Sequence, residues 1–110
     1  MRINDEIIQD VARALTSLPA HAAYLFGSAG QGTATEDSDM DLAVILDNEP
    51  GPANFRRRLA RTVAVRRRLR RVAPGVPLDV LVFSVDEWAE LNRNEPVFSA
   101  TLRTTGRRIA

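Results

Sequence analysis

The spacing of apolar positions along the chain switches between helical and strand periods, and each switch marks an element. Ile7, Ile8, Val11, Leu15 and Leu18 recur at helical spacing and predict an amphipathic helix with one buried face. Asn4 is placed to cap it, Asp5 and Glu6 suit its first turn, and Pro19 ends it. Ala22 to Phe26 is a short apolar run between Pro19 and Gly27, the pattern of a buried strand. Asp39 to Leu46 begins with alternation and becomes continuously apolar, as a central strand does. Phe55, Leu59, Thr62, Val63, Leu69 and Val72 return to helical spacing, predicting an amphipathic helix of up to five turns closed by Pro74-Gly75. Leu78 to Phe83 is a third strand, apolar except for Asp79. Ser84 is placed to cap a short helix over Val85 to Leu91, with Asp86 and Glu87 in its first turn. Pro96 opens another helix to about Leu102, Gly106 ends it, and Arg107 to Ala110 is a tail or an edge strand.

Two polar segments separate these elements. Gly27 to Ser38 is glycine, serine, threonine and acid, and Asp47 to Ala53 is a turn-rich linker. The long helix between the second and third strands allows a parallel or mixed crossover. The expected fold class is α/β (α+β), a small mixed sheet of three or more strands with helices packed on it. Residues 1–110 read as one domain, without internal repeat or low-complexity tract.

Composition narrows the function classes. Apolar residues make up 45% of the 110, which suits a folded domain with a modest core. The absence of cysteine excludes disulfide scaffolds and thiolate metal sites, and a single histidine excludes an all-histidine zinc site. No apolar run is long enough to span a bilayer, and the acid-bearing N-terminus is not that of a signal peptide, so a cytoplasmic protein without membrane contact is expected. Net charge is only +1, yet all fifteen basic residues are arginine and nine lie between Arg56 and Arg71, a span without an acid. No aromatics are interleaved there to stack bases, so a solvated helix face is favoured over direct nucleic-acid binding. An acidic partner protein is a third reading of the same helix.

The candidate chemistry lies on carboxylates. Asp39 and Asp41 are two apart on a strand, so they project to one face roughly 6–7 Å apart at Cα. Two such carboxylates repel unless a cation lies between them, and magnesium favours hard oxygen ligands shared with phosphate. Asp79, alone among apolar neighbours on the third strand, joins them if that strand lies beside the second. It is then a third ligand or the base that takes a proton from an acceptor hydroxyl. Gly27 and Ser28 open a loop that also holds Gly30 and Gly32, where backbone N–H groups and a hydroxyl can approach phosphates. It is not a Walker loop, having no Gly-Lys-Ser/Thr.

Gly27-Ser28, ten residues, then Asp39-Met40-Asp41-Leu42 resembles the signature of the polymerase-beta-like nucleotidyltransferase superfamily. Within it the short chain is similar to the minimal nucleotidyltransferases (MNT). The likeness is closest from Tyr24 to Leu46, fits Leu78-Asp79-Val80, and extends more loosely to Leu102–Ile109. The resemblance implies that Gly27 and Ser28 hold the triphosphate, that Asp39 and Asp41 bind magnesium in a two-metal site, and that Asp79 completes the triad. It implies transfer of a nucleoside monophosphate, AMP from ATP, to a hydroxyl. It also implies a HEPN-domain toxin as partner, silenced by adenylylation, with this chain as antitoxin. Many minimal members carry a basic residue directly after the glycine-serine pair and another two residues on; here those places hold Ala29 and Gln31.

Plainer accounts stand beside these. Asp39 and Asp41 also suit a loop pair near a strand edge, and Asp79 suits a strand-start acid paired with an arginine. His21 reads as a surface residue, Tyr24 and Trp88 as core or interface, Glu36 and Asp37 as loop acids, and Ser38 as a turn former. A non-catalytic module that neutralises its partner by occlusion is a second function, and a small-molecule, aminoglycoside-type transferase a third. The nucleotide, the acceptor and the oligomeric state stay open.

Overall fold

The computed structural model describes residues 5–18, 20–26, 40–47 and 54–110, apart from the side chains of Arg103 and Thr105. Helix α1 is Asp5–Ser17 and strand β1 is Ala20–Phe26, two residues longer at its start than the apolar run suggested. Strand β2 is Met40–Leu46, helix α2 is Phe55–Val72 and strand β3 is Leu78–Ser84. Helix α3 is Val85–Asn94 and helix α4 is Pro96–Thr105, each about one turn longer than expected. Strand β4 is Arg107–Arg108, an edge strand and not a free tail.

The sheet is mixed, in the order β3-β2-β1-β4. β1 and β2 pair antiparallel, β2 and β3 pair parallel through the α2 crossover, and β4 pairs antiparallel with β1. Alternation sorts the strands into two faces. Ala23 and Leu25, then Met40, Leu42 and Val44, then Val80 face α1 and α2, and they form the main core with Val11, Leu15, Val65 and Leu69. On the other face, Ala22, Ala43 and Ile45 are buried with Ser99 and Leu102 of α4 outside that core cluster. β2 is buried almost throughout, which explains its unbroken apolar run.

Local capping agrees with the sequence. Asn54 accepts from the Arg57 N–H at 2.9 Å to open α2, and Gly75 takes a positive φ of 82° in the turn that follows it. Ser84 and Glu87 form a capping box at the start of α3. The buried stripe of α2 differs from the expected one. Arg61, Val65 and Leu69 are buried, whereas Phe55, Leu59 and Val63 are exposed. The apolar positions of this helix fall on two neighbouring stripes, and only one meets the sheet.

Gly106 closes α4 where its N–H donates to the Leu102 carbonyl at 2.9 Å. A Cβ there would lie 2.3 Å from that oxygen. Gly106→Ala must shift backbone, so loss of the β4 pairing to β1 and a cost of about 1–3 kcal/mol are expected. Urea unfolding, with amide exchange at Ile109, whose N–H donates to Ala23 O, checks this.

Candidate functional site

β2 and β3 run parallel in a register that sets Asp41 directly beside Asp79. Neighbouring strands lie about 4.8 Å apart, and register partners point to the same face, so the two carboxylates stand side by side. The same register row continues to Phe26, the last residue of β1, opposite Asp41. The row lies at one end of the sheet, where β2 and β3 begin. Met40 N–H donates to Pro77 O at 2.8 Å, extending the pairing by one step toward the chain preceding both strands.

Asp41 is half-buried and Asp79 is exposed. Among the described residues none forms an ion pair with Asp79, so the plain account of it as the partner of an arginine finds no support there. Asp39, Gly27 and Ser28 lie outside the described residues, as do Ala29 and Gln31. Among the described residues no three His, Cys, Asp or Glu side chains converge into a metal site. The donor set that is placed, two carboxylates on one face, one half-buried and one exposed, has the chemistry of a hard-cation site.

The next rows on this face are apolar. Tyr24, Ala43 and Leu81 are mutually aligned by register, followed by Ala22, Ile45 and Phe83. Trp88 of α3 stacks on Tyr24 with ring centroids 5.9 Å apart and an interplanar angle of 22°, and it meets Phe83 at 5.5 Å. These rings tie α3 to the sheet behind the carboxylate row. Leu81 is 40% exposed and sits two residues beyond Asp79 on the same face. The sequence signal for this wall was the i+2 spacing from each aspartate. The stacking itself depends on α3 folding back and had no local signal.

The helices are joined by an ion pair that the sequence did not announce. Arg61 of α2 is buried and donates from Nη2 to Glu87 Oε1 at 2.5 Å. Ser84 N–H donates to the same oxygen at 2.8 Å, and Ser84 Oγ accepts from Glu87 N–H at 3.1 Å. Burial pushes the Glu87 carboxyl up, but the Ser84 and Arg61 hydrogen bonds and the guanidinium charge outweigh it and hold the group below its ordinary value. A cleft of about 340 Å³ lined by Phe83, Glu87, Glu90, Leu91, Asn94 and Glu95 lies at the opposite end of β3 from Asp79. His21 is exposed, with Nδ1 3.5 Å from Asp47 Oδ1, also far from the aspartate row.

A family model described as "Polymerase beta, Nucleotidyltransferase" matches residues 8–108, nearly the whole chain. Among solved structures, the chain is similar to one described as "Crystal structure of the toxin-antitoxin with AMP-PNP". The TM-score is 0.58 at 21% identity, covering 94% of this chain and 72% of that one. At that identity the likeness speaks for the fold. No curated protein sequence gives a significant match.

Proposed function

Because the chain belongs to the polymerase beta nucleotidyltransferase family, we propose that it transfers AMP from ATP to a hydroxyl on a partner toxin and so acts as an antitoxin. The observation that carries the reading is the register pairing of Asp41 with Asp79. It gives the two described acids of the triad a common face at the mouth of the sheet. The similarity to a toxin–antitoxin structure holding AMP-PNP supports both the nucleotide and the kind of partner. The likeness to minimal nucleotidyltransferases supports a HEPN-domain toxin as that partner.

Asp39, Asp41 and Asp79 are the residues that would hold magnesium, which supplies positive charge against the triphosphate and the leaving pyrophosphate. Gly27 and Ser28 donate N–H and O–H groups to the phosphates. Asp79 takes the proton of the acceptor hydroxyl as the hydroxyl oxygen bonds to the α-phosphorus, the bond from that phosphorus to the bridging oxygen breaks, and pyrophosphate leaves. Ala29 and Gln31 leave the loop without its customary cations, so the phosphate charge is met by metal, by backbone N–H groups, or by an arginine from elsewhere or from the partner. Residues 1–110 act as one transferase domain. Among the described residues no helix is long and apolar enough to cross a membrane.

The test is incubation of the purified chain with magnesium, labelled ATP and the purified product of the adjacent gene. Mass spectrometry of the partner should find one added AMP on a hydroxyl side chain. An unmodified partner that is nonetheless silenced, equally well by the Asp41→Asn variant, favours occlusion and ends the transferase reading.

A further inference from the structure

Helix α2 presents an apolar stripe that nothing among the described residues covers. Phe55, Leu59 and Val63 are 72%, 52% and 38% exposed, although each is large and apolar. They recur every four residues, so they form one continuous ridge about 12 Å long. The ridge is separate from the face formed by Arg61, Val65 and Leu69, which packs into the protein. By helical geometry Arg56 flanks it, and Arg67 and then Arg70 follow it toward the helix C-terminus, all three exposed, and no acid occurs anywhere on α2.

We propose that this ridge is a docking surface for a protein whose apolar groove is rimmed by aspartate and glutamate. The inference rests on the reading of the chain as one half of a two-protein pair, and it assigns that partner's binding site. Charge complementarity selects the occupant. A second copy meeting the ridge with its own α2 would set arginines against arginines, which is repulsive. A nucleic acid would satisfy the arginines, but it offers no apolar surface for Leu59 and Val63, and Phe55 is the only ring on the ridge able to stack on a base. A carboxylate-rimmed groove satisfies both components.

The ridge is also placed apart from the proposed chemistry. Val65 and Leu69 seat α2 on the sheet face formed by Met40, Leu42, Val44 and Val80, whereas Asp41 and Asp79 alternate to the other face. Docking there recruits the partner without occupying the aspartate row. Partner affinity and nucleotide binding can therefore be changed independently.

The experiment measures binding of the purified adjacent-gene product by titration calorimetry, with magnesium-ATP binding measured on the same preparations. Leu59→Glu/Val63→Glu, at exposed positions that favour helix, should weaken partner binding at least tenfold and leave ATP affinity unchanged. Arg67→Glu/Arg70→Glu should weaken it too and flatten its dependence on salt. Unchanged partner affinity in the apolar double variant overturns the docking site alone. Failure of the wild-type chain to bind that product overturns the pair reading and this inference with it. Loss of a 20-nucleotide RNA in the arginine variant, with protein binding untouched, assigns the face to nucleic acid instead. Concentration-dependent self-association that the apolar variant abolishes assigns it to the acidic cleft of a second copy, and equally overturns the proposal.

Discussion

Asp79→Asn is expected to reduce nucleotidyl transfer by about a thousandfold or more while leaving the fold intact. The side chain is exposed, so the isosteric change removes charge without disturbing packing. What is lost is a negative oxygen beside Asp41, directly across the β2–β3 register. Metal charge stabilisation of a phosphoryl transition state contributes several kcal/mol, and each 1.36 kcal/mol is tenfold in rate. Asp41→Asn should be at least as severe. Single-turnover transfer from labelled ATP reads the effect, and unchanged urea unfolding confirms that it is chemical. A loss smaller than tenfold for Asp79→Asn would remove it from the proposed triad.

The second large effect is structural. Glu87→Gln should destabilise the protein by about 1–3 kcal/mol, because the buried Arg61 guanidinium loses its counter-charge and keeps only a neutral amide oxygen as acceptor. Among the described residues Arg61 Nε is buried with no hydrogen-bond partner, so Glu87 supplies the compensation at the other side of that group. The substitution also weakens the bond from Ser84 N–H that starts α3. Arg61→Met should cost less, since Glu87 keeps its Ser84 bonds and a long apolar side chain fills the space. Equilibrium urea denaturation of the two variants gives the order. The pH dependence follows from the sign of the shift. Glu87 is held below its ordinary value of 4.5, so its contribution is present above that pH and is lost as pH falls through the lower folded value. Wild-type stability should therefore fall more steeply than that of Glu87→Gln as pH drops below about 4.5.

The order of elements was legible because their periods and punctuation agree. α1 ends at Ser17, Ser84 caps α3 and Pro96 opens α4, close to where local chemistry places each boundary. The mixed sheet followed from a helix long enough to carry the chain between parallel strands. What the spacing alone could not give was register. That Asp79 falls beside Asp41, and not beside Leu42 or Met40, depends on how α2 seats against β3. The buried side of α2 was illegible for a related reason. Phe55, Leu59 and Val63 are as apolar as the core positions, and Arg61 is buried only because Glu87, 26 residues later, meets it. Asp39, Gly27 and Ser28 were singled out by residue type and spacing, and their placement lies outside the described residues. The Tyr24–Trp88 stack joins residues that the sequence offered only as core or interface.

In the proposed function, Asp41 and Asp79 belong to one metal-dependent nucleotide site. Titration calorimetry of ATP binding, with and without magnesium, tests it most directly on the chain alone. ATP affinity should require magnesium in the wild-type protein and fall at least tenfold in Asp41→Asn/Asp79→Asn. Equal affinity in the double variant, or affinity indifferent to magnesium, would contradict it.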